Sequence, residues 1–390
     1  MFIILLLCLC IATQNYEVNG WMPNLSKNED LELEKQLKVI NKSPIKIIQT
    51  ENGRIVDCID INKQLAFDNP LLKNHKIQLK SNFEDTQTKV QADDTFKYSN
   101  IGLENELCPE GTIPVQRTTK EDLIRANRVS NPFASILTKD DRGSHFAGLR
   151  INFPSVYFGI QGTLSVHNPP IDVGQMSSAY IWLTNETNVG NANTIHAGWQ
   201  ASPDITGDTL THFFISWNNN VQHTGCTNML CPGFVQTSSR IYLGSPILNV
   251  SVYGGPIFSM SLSLTQDKAT NNWWLRAQNE DVGYFPAEIF SNNFLYASKG
   301  GWTGHTKFFT NAPAPQMGSG HFPDRNPLHS GYISRIYFKD RYRQDFGPLR
   351  SNVISYADNI RCYDVKYYDY VDDILQRVLM YGGPGGNCGN

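Results

Sequence analysis

Two stretches of the chain bring together residue types that could do chemistry. The first is Asn193-Thr194-Ile195-His196-Ala197-Gly198-Trp199-Gln200-Ala201-Ser202-Pro203. Read as a strand, it turns His196, Gly198 and Gln200 to one face and Ile195, Ala197 and Trp199 to the other. An imidazole and an amide would then face a groove, and Gly198 between them would leave its floor open to another backbone. The second stretch, Gly300-Gly301-Trp302-Thr303-Gly304-His305-Thr306, repeats the same Trp, Gly and His types within a few residues. A pair of imidazoles can act as base and electrophile around the ordinary histidine pKa of about 6.5. The plainer reading is two surface-facing histidines on strands.

Other chemistries find less support in the pattern. Zinc or another metal on His196 and His305 would need a third ligand such as His321. No HExxH spacing, no CxxC and no Cys/His cluster supplies a recognisable metal site. Gly318-Ser319-Gly320-His321 places a serine near a histidine in sequence, but a nucleophile elbow requires a strand-to-helix turn in an α/β sheet. No cofactor is implied. The modest net charge of −3, with 18% charged residues, argues against a nucleic-acid footprint.

The elements that must position these residues are strands. From about His145 onward, short alternating runs recur, the clearest being Ile257–Thr265, with Phe258, Met260, Leu262 and Leu264 on one face. Similar runs at 161–167, 179–184, 211–217, 273–278 and 333–338 are separated by Gly, Pro and Asn turns. Many short strands without intervening helical patterns predict a sandwich or barrel, and the alternation favours antiparallel sheets with one solvated face. Residues 21–140 read differently. Leu33, Leu37 and Ile40 form a helical stripe after an acidic first turn, and short strands follow. Lysine usage shifts as well, from 13 in residues 21–140 to 5 in 145–390. A polar linker is expected near 131–144, where proteolytic nicking would fall. The first 20 residues hold an apolar run, Ile3–Ala12, too short to span a bilayer, which needs about 20 apolar residues. They predict a signal peptide and a secreted, extracellular protein with no membrane span.

Several motifs together resemble the plant neprosin family. They are His196 to Pro203, Gly225-Cys226 with Cys231-Pro232-Gly233-Phe234, Trp273-Trp274, and Gln316-Met317-Gly318-Ser319-Gly320-His321-Phe322-Pro323. Arg361-Cys362-Tyr363-Asp364-Val365 and Tyr381-Gly382-Gly383-Pro384-Gly385 join them. Upstream, residues 41–58 and Cys108-Pro109-Glu110-Gly111-Thr112-Ile113-Pro114 are similar to that family's activation peptide. The resemblance implies a signal peptide at 1–20, a small α+β propeptide at 21–140 and a peptidase-like domain at 145–390. It implies a β-sandwich related to glutamic peptidases, a groove across one sheet, and secreted endopeptidase activity directed after proline.

The chemistry implied by that resemblance needs two carboxyl groups flanking a water, one as base and one, protonated, as electrophile. Aligned to the family's motifs, both glutamates are replaced, by His196 and His305. Region 145–390 holds only Glu186, Glu280 and Glu288, none in a motif and each expected as a solvated surface charge. The reading is therefore a catalytically silent protein that keeps a groove for proline-containing peptide or cell-wall ligands and is partnered by its own propeptide. The alternative is an active endopeptidase with an altered site. The Gln316–Pro323 stretch is expected as a tight turn bordering the groove. Once Cys8 and Cys10 leave with the leader, six cysteines remain, and they allow fifteen pairings. Proximity and the division of the chain favour 58–108, 226–231 and 362–388, as does the resemblance. Sequons at Asn24, Asn41, Asn185 and Asn249 are candidate glycan sites.

Overall fold

The structure, a computed structural model, describes residues 26–83, 95–128, 143–153, 155–188, 191–308 and 312–388. The expected leader, Asn24 and most of the expected linker lie outside the described residues.

The N-terminal part opens with helix α1 (Lys27–Ile40), started by a capping box in which Ser26 and Glu29 each satisfy the other's backbone N–H. Its Leu33 is buried against Leu123 and Ile124 of helix α2 (Lys120–Arg128). Between the helices run strands β1 (Pro44–Gln49), β2 (Ile55–Asp60), β3 (Phe96–Tyr98) and β4 (Thr112–Gln116). β1, β2 and β4 form a three-stranded antiparallel sheet, and the Cys58–Cys108 disulfide closes over it. The small α+β unit read from the helical stripe and short strands is therefore present.

The C-terminal part continues with β5 (Ser144–Ile151), β6 (Gly159–Ser165), β7 (Gln175–Asn188), β8 (Asn191–Ala201), the short helix α3 (Pro203–Thr206), β9 (Thr211–Asn219) and β10 (Thr224–Thr227). Then come β11 (Val235–Gln236), β12 (Ile257–Gln266), β13 (Trp273–Ala277), β14 (Glu280–Phe285) and β15 (Lys299–Phe308). The last strands are β16 (Gly331–Lys339), β17 (Asp345–Phe346), β18 (Val353–Ala357), β19 (Asp364–Tyr368) and β20 (Val378–Gly382). Seven strands form one sheet in the order β10-β9-β8-β7-β15-β5-β18. The other sheet runs β11-β14-β13-β12-β6-β16-β20-β19, with β17 on β16 and β3 on β12. Every pairing in the two sheets is antiparallel except β3 on β12.

Alternation explains why the two sheets close on each other. Ile195, Ala197 and Trp199 of β8 meet Met260, Leu262 and Leu264 of β12 in one core, all fully buried. Of the alternation expected over 257–265, Met260, Leu262 and Leu264 face inward as read, while Phe258 at its start is only half-buried. The disulfides Cys226–Cys231 and Cys362–Cys388 form as favoured. The two parts also share their cores, which the compositional boundary did not suggest. Ala66, Leu72 and Ile101 belong to the sandwich core, and Tyr242 of the sandwich belongs to an N-terminal cluster with Ile48, Val56, Cys58, Leu103 and Cys108.

Candidate functional site

His196 and His305 lie on the outer face of the seven-stranded sheet, separated by β7. His196 stands opposite Trp182 of β7 on one side and Ser216 of β9 on the other, and its Nδ1 lies 3.0 Å from Ser216 Oγ. His305 stands opposite Ser178 of β7 and Phe146 of β5, and Phe146 stacks flat on its ring at 4.3 Å. Tyr180 occupies the middle. Its ring meets His196 edge-on at 5.0 Å and His305 edge-on at 6.2 Å, with Phe214 of β9 at 6.1 Å.

The tryptophan of each stretch explains how the two histidines are held. Trp199 Nε1–H donates to the Ser165 carbonyl and Trp302 Nε1–H to the Gln161 carbonyl, each at 2.8 Å. Both carbonyls belong to β6, so the backs of the two histidine strands are pinned to one strand of the opposite sheet. Each bond also satisfies a buried indole N–H. The glycines make close packing possible. A Cβ on Gly198 would sit 2.0 Å from Ala179 O and 2.6 Å from Tyr180 Cβ, so β7 takes the space that the sequence offered to a ligand backbone. A Cβ on Gly304 would meet Tyr381 at 2.3 Å on the core side.

Burial governs the electrostatics. His196 is 5% exposed and His305 2%. Removing imidazolium from water pushes the pKa of each down to about 3. At His305 the neighbouring Lys307 cation, and then His196, lower it further, against an opposing pull from Asp358. Both side chains are therefore neutral through the range in which histidine ordinarily gains a proton, whereas sequence reasoning placed their charging near the unperturbed value. His305 Nε2 and Gln200 Oε1 are buried without a hydrogen-bond partner among the described residues.

The remaining candidates are dispersed. Glu186 pairs with Lys299, and Glu288 with His75 at 3.2 Å. Glu280 accepts from Arg240 at 2.6 Å and from Ser238 at 2.5 Å. Glu186 and Glu280 are half-buried rather than solvated, because each has gained a cation partner. His321 is exposed and packs on Tyr253 at 4.0 Å, and among the described residues it makes no ring contact with His196 or His305. Among the described residues, no three His, Cys, Asp or Glu side chains gather as metal ligands. The Gln316–Pro323 stretch does turn tightly, with Gly318 at φ +62 and Gly320 at φ +81. It does not border the histidine face, however. Met317 is fully buried, with its Sδ beneath Gly304, so the apolar side chain draws the turn to the core side of β15.

Of the sequons, Asn185 is 6% exposed and donates to the Tyr296 carbonyl at 2.7 Å, which leaves no room for a glycan in this fold. Asn41 exchanges two hydrogen bonds with the Thr118 backbone, while Asn249 is half-buried. Sequence reasoning missed Tyr180, Ser216, Phe146 and Phe214. Tyr180, Phe214 and Ser216 sit in runs read as strands, and Phe146 follows His145 where the β pattern begins, but only the strand register brings each to a histidine.

The chain is thus an antiparallel sandwich preceded by an α+β unit, with two motif strands flanking a central strand. The Neprosin family model matches residues 173–384, and the Neprosin activation peptide model matches 47–142. The chain belongs to the neprosin family. Among solved structures it is similar to scytalido-glutamic peptidase with a transition state analog inhibitor. That match has 10% identity and a TM-score of 0.35, covering 61% of this chain and 97% of that one. It is also similar to SCP-B, a member of the eqolisin family of peptidases in complex with the tripeptide Ala-Ile-His, at 10% identity and TM-score 0.34, covering 61% and 97%. A Bacteroides ovatus mixed linkage glucan GH16 protein matches at 12% identity and TM-score 0.26, covering 42% and 66%.

Proposed function

We propose that this chain is a secreted, catalytically silent neprosin-family protein whose outer sheet face takes proline-containing peptide or cell-wall ligands. The observation that carries the reading is the state of the two motif positions: buried imidazoles whose pKa values are pushed down to about 3. A glutamic site needs one group to take a proton from water and a second, protonated, to donate to the carbonyl oxygen. A base with so low a pKa takes a proton poorly, and neither ring carries the extra proton at mildly acid pH. The three glutamates of 145–390 are engaged by Lys299, Arg240 and His75. On the same face His305 Nε2 and Gln200 Oε1 have no hydrogen-bond partner among the described residues, so an ordered water or a polar ligand group is needed to satisfy them.

The test is incubation of the purified protein with a proline-containing peptide library from acid to neutral pH, read by mass spectrometry. Retention of library peptides without cleavage is the expected result. Cleavage after proline that is lost in His196→Ala or His305→Ala would instead establish an active endopeptidase with an altered site.

A further inference from the structure

We infer that the N-terminal region, residues 44–128, stays bound to the sandwich as a permanent non-covalent subunit after the chain is cut between Arg128 and Gly143.

The first observation is a strand edge. Along one edge of β12, β13 covers Leu262–Gln266 and leaves the beginning of that edge to another partner. β3 of the N-terminal region fills the gap, pairing in parallel with Ile257–Ser259, and Ser99 N–H extends the ladder to the Ser259 carbonyl at 2.8 Å. Its departure would bare a row of unpaired backbone groups, the edge that folded proteins normally cover. The second observation is the exchange of core residues. Tyr242, 2% exposed, is inserted among Ile48, Val56 and Leu103, while Ala66, Leu72 and Ile101 of the N-terminal region are each 1% exposed within the sandwich core. Separation would put all of this apolar surface into water.

The polar contacts add a third reason, because many are buried. The Gln64 side chain donates to Gln236 O at 3.1 Å and accepts from Gln236 N–H at 2.8 Å, while Gln236 Nε2 donates to Pro114 O at 2.7 Å. Both glutamines are fully buried. Ser81 N–H donates to Asp281 at 2.9 Å, and Gln78 Nε2 to Asp267 at 2.7 Å. Separation returns these groups to water, so each bond adds only its modest net contribution to the packing. Among the described residues no disulfide joins the two regions, since Cys58–Cys108 lies within one and the other two bridges within the other. Retention would therefore be held by packing and hydrogen bonds alone.

The experiment uses the full chain with a specific protease recognition sequence placed between Arg128 and Gly143. After complete cutting, a non-reducing denaturing gel shows two fragments. Native size-exclusion at neutral pH, with and without molar salt, is expected to give one peak at the mass of the uncut protein. Separate peaks, or a precipitating sandwich with a soluble N-terminal fragment, would overturn the inference. Exchange of a labelled N-terminal fragment in the cut protein should be faster by roughly tenfold or more in Tyr242→Ala or Gln236→Ala. Unchanged exchange in both variants would overturn this assignment of the holding surface. A variant that does not fold leaves the other variant and the unsubstituted cut protein to decide.

Discussion

The burial of His196 and His305 makes a quantitative statement about acid stability. In the unfolded chain each imidazole titrates near 6.5, whereas in the fold each is held down to about 3. Between those values the unfolded state binds more protons, so stability is complete above the unfolded pKa and falls as the pH falls toward the folded one. From about pH 7.5 to about pH 5 the loss is about 2 kcal/mol per histidine, a figure that requires only that the folded pKa lie well below 5. His167, buried at 4% exposure and likewise lowered to about 3, adds a third equal share. Together they would remove about 6 kcal/mol, a large part of the stability of an ordinary domain. Substituting His196→Gln or His305→Gln removes one share, so each variant should lose about 2 kcal/mol less than wild type over that interval, and the double variant about 4. Urea unfolding at the two pH values reads the difference directly. Carboxylate contributions common to all the proteins cancel in the comparison. A variant whose offset from wild type is the same at both pH values, within about 0.5 kcal/mol, would refute the burial argument.

Three further outcomes are expected. His196→Glu with His305→Glu should give acid-dependent cleavage after proline in the linker-cut protein, measured by peptide mass spectrometry, while each single variant stays inactive because one carboxyl cannot be base and acid in the same step. Gly304→Ala should destabilise by about 1–3 kcal/mol in chemical denaturation, since its Cβ would fall 2.3 Å from the fully buried Tyr381 ring and 2.8 Å from Met317 Sδ. Glycopeptide mapping of protein from a eukaryotic secretory host should find a glycan at Asn249 and none at Asn185, whose amide is buried and bonded to Tyr296 O.

Much of the architecture was legible because strand alternation and turn residues act locally. Ile195, Ala197 and Trp199 point inward and His196 and Gln200 outward, as their period of two requires. Met260 to Leu264, the α1 stripe and the three disulfides could likewise be read from spacing or from the resemblance. The expectation that His196 and His305 stand where the resemblance places two glutamates came from the sequence alone, whereas the surroundings of the two rings did not. Pairing register decided that Tyr180 stands between the histidines, that Ser216 meets His196 and that Phe146 covers His305. None of these neighbours is close in sequence to its histidine. Only the tertiary structure decided the protonation of the pair, because desolvation is set by everything packed around a group and not by its own strand. It also decided that Met317 goes beneath Gly304 and that Tyr242 completes the N-terminal core. Each of those contacts joins residues far apart in the chain, and an apolar side chain's need for cover does not specify which distant surface will provide it.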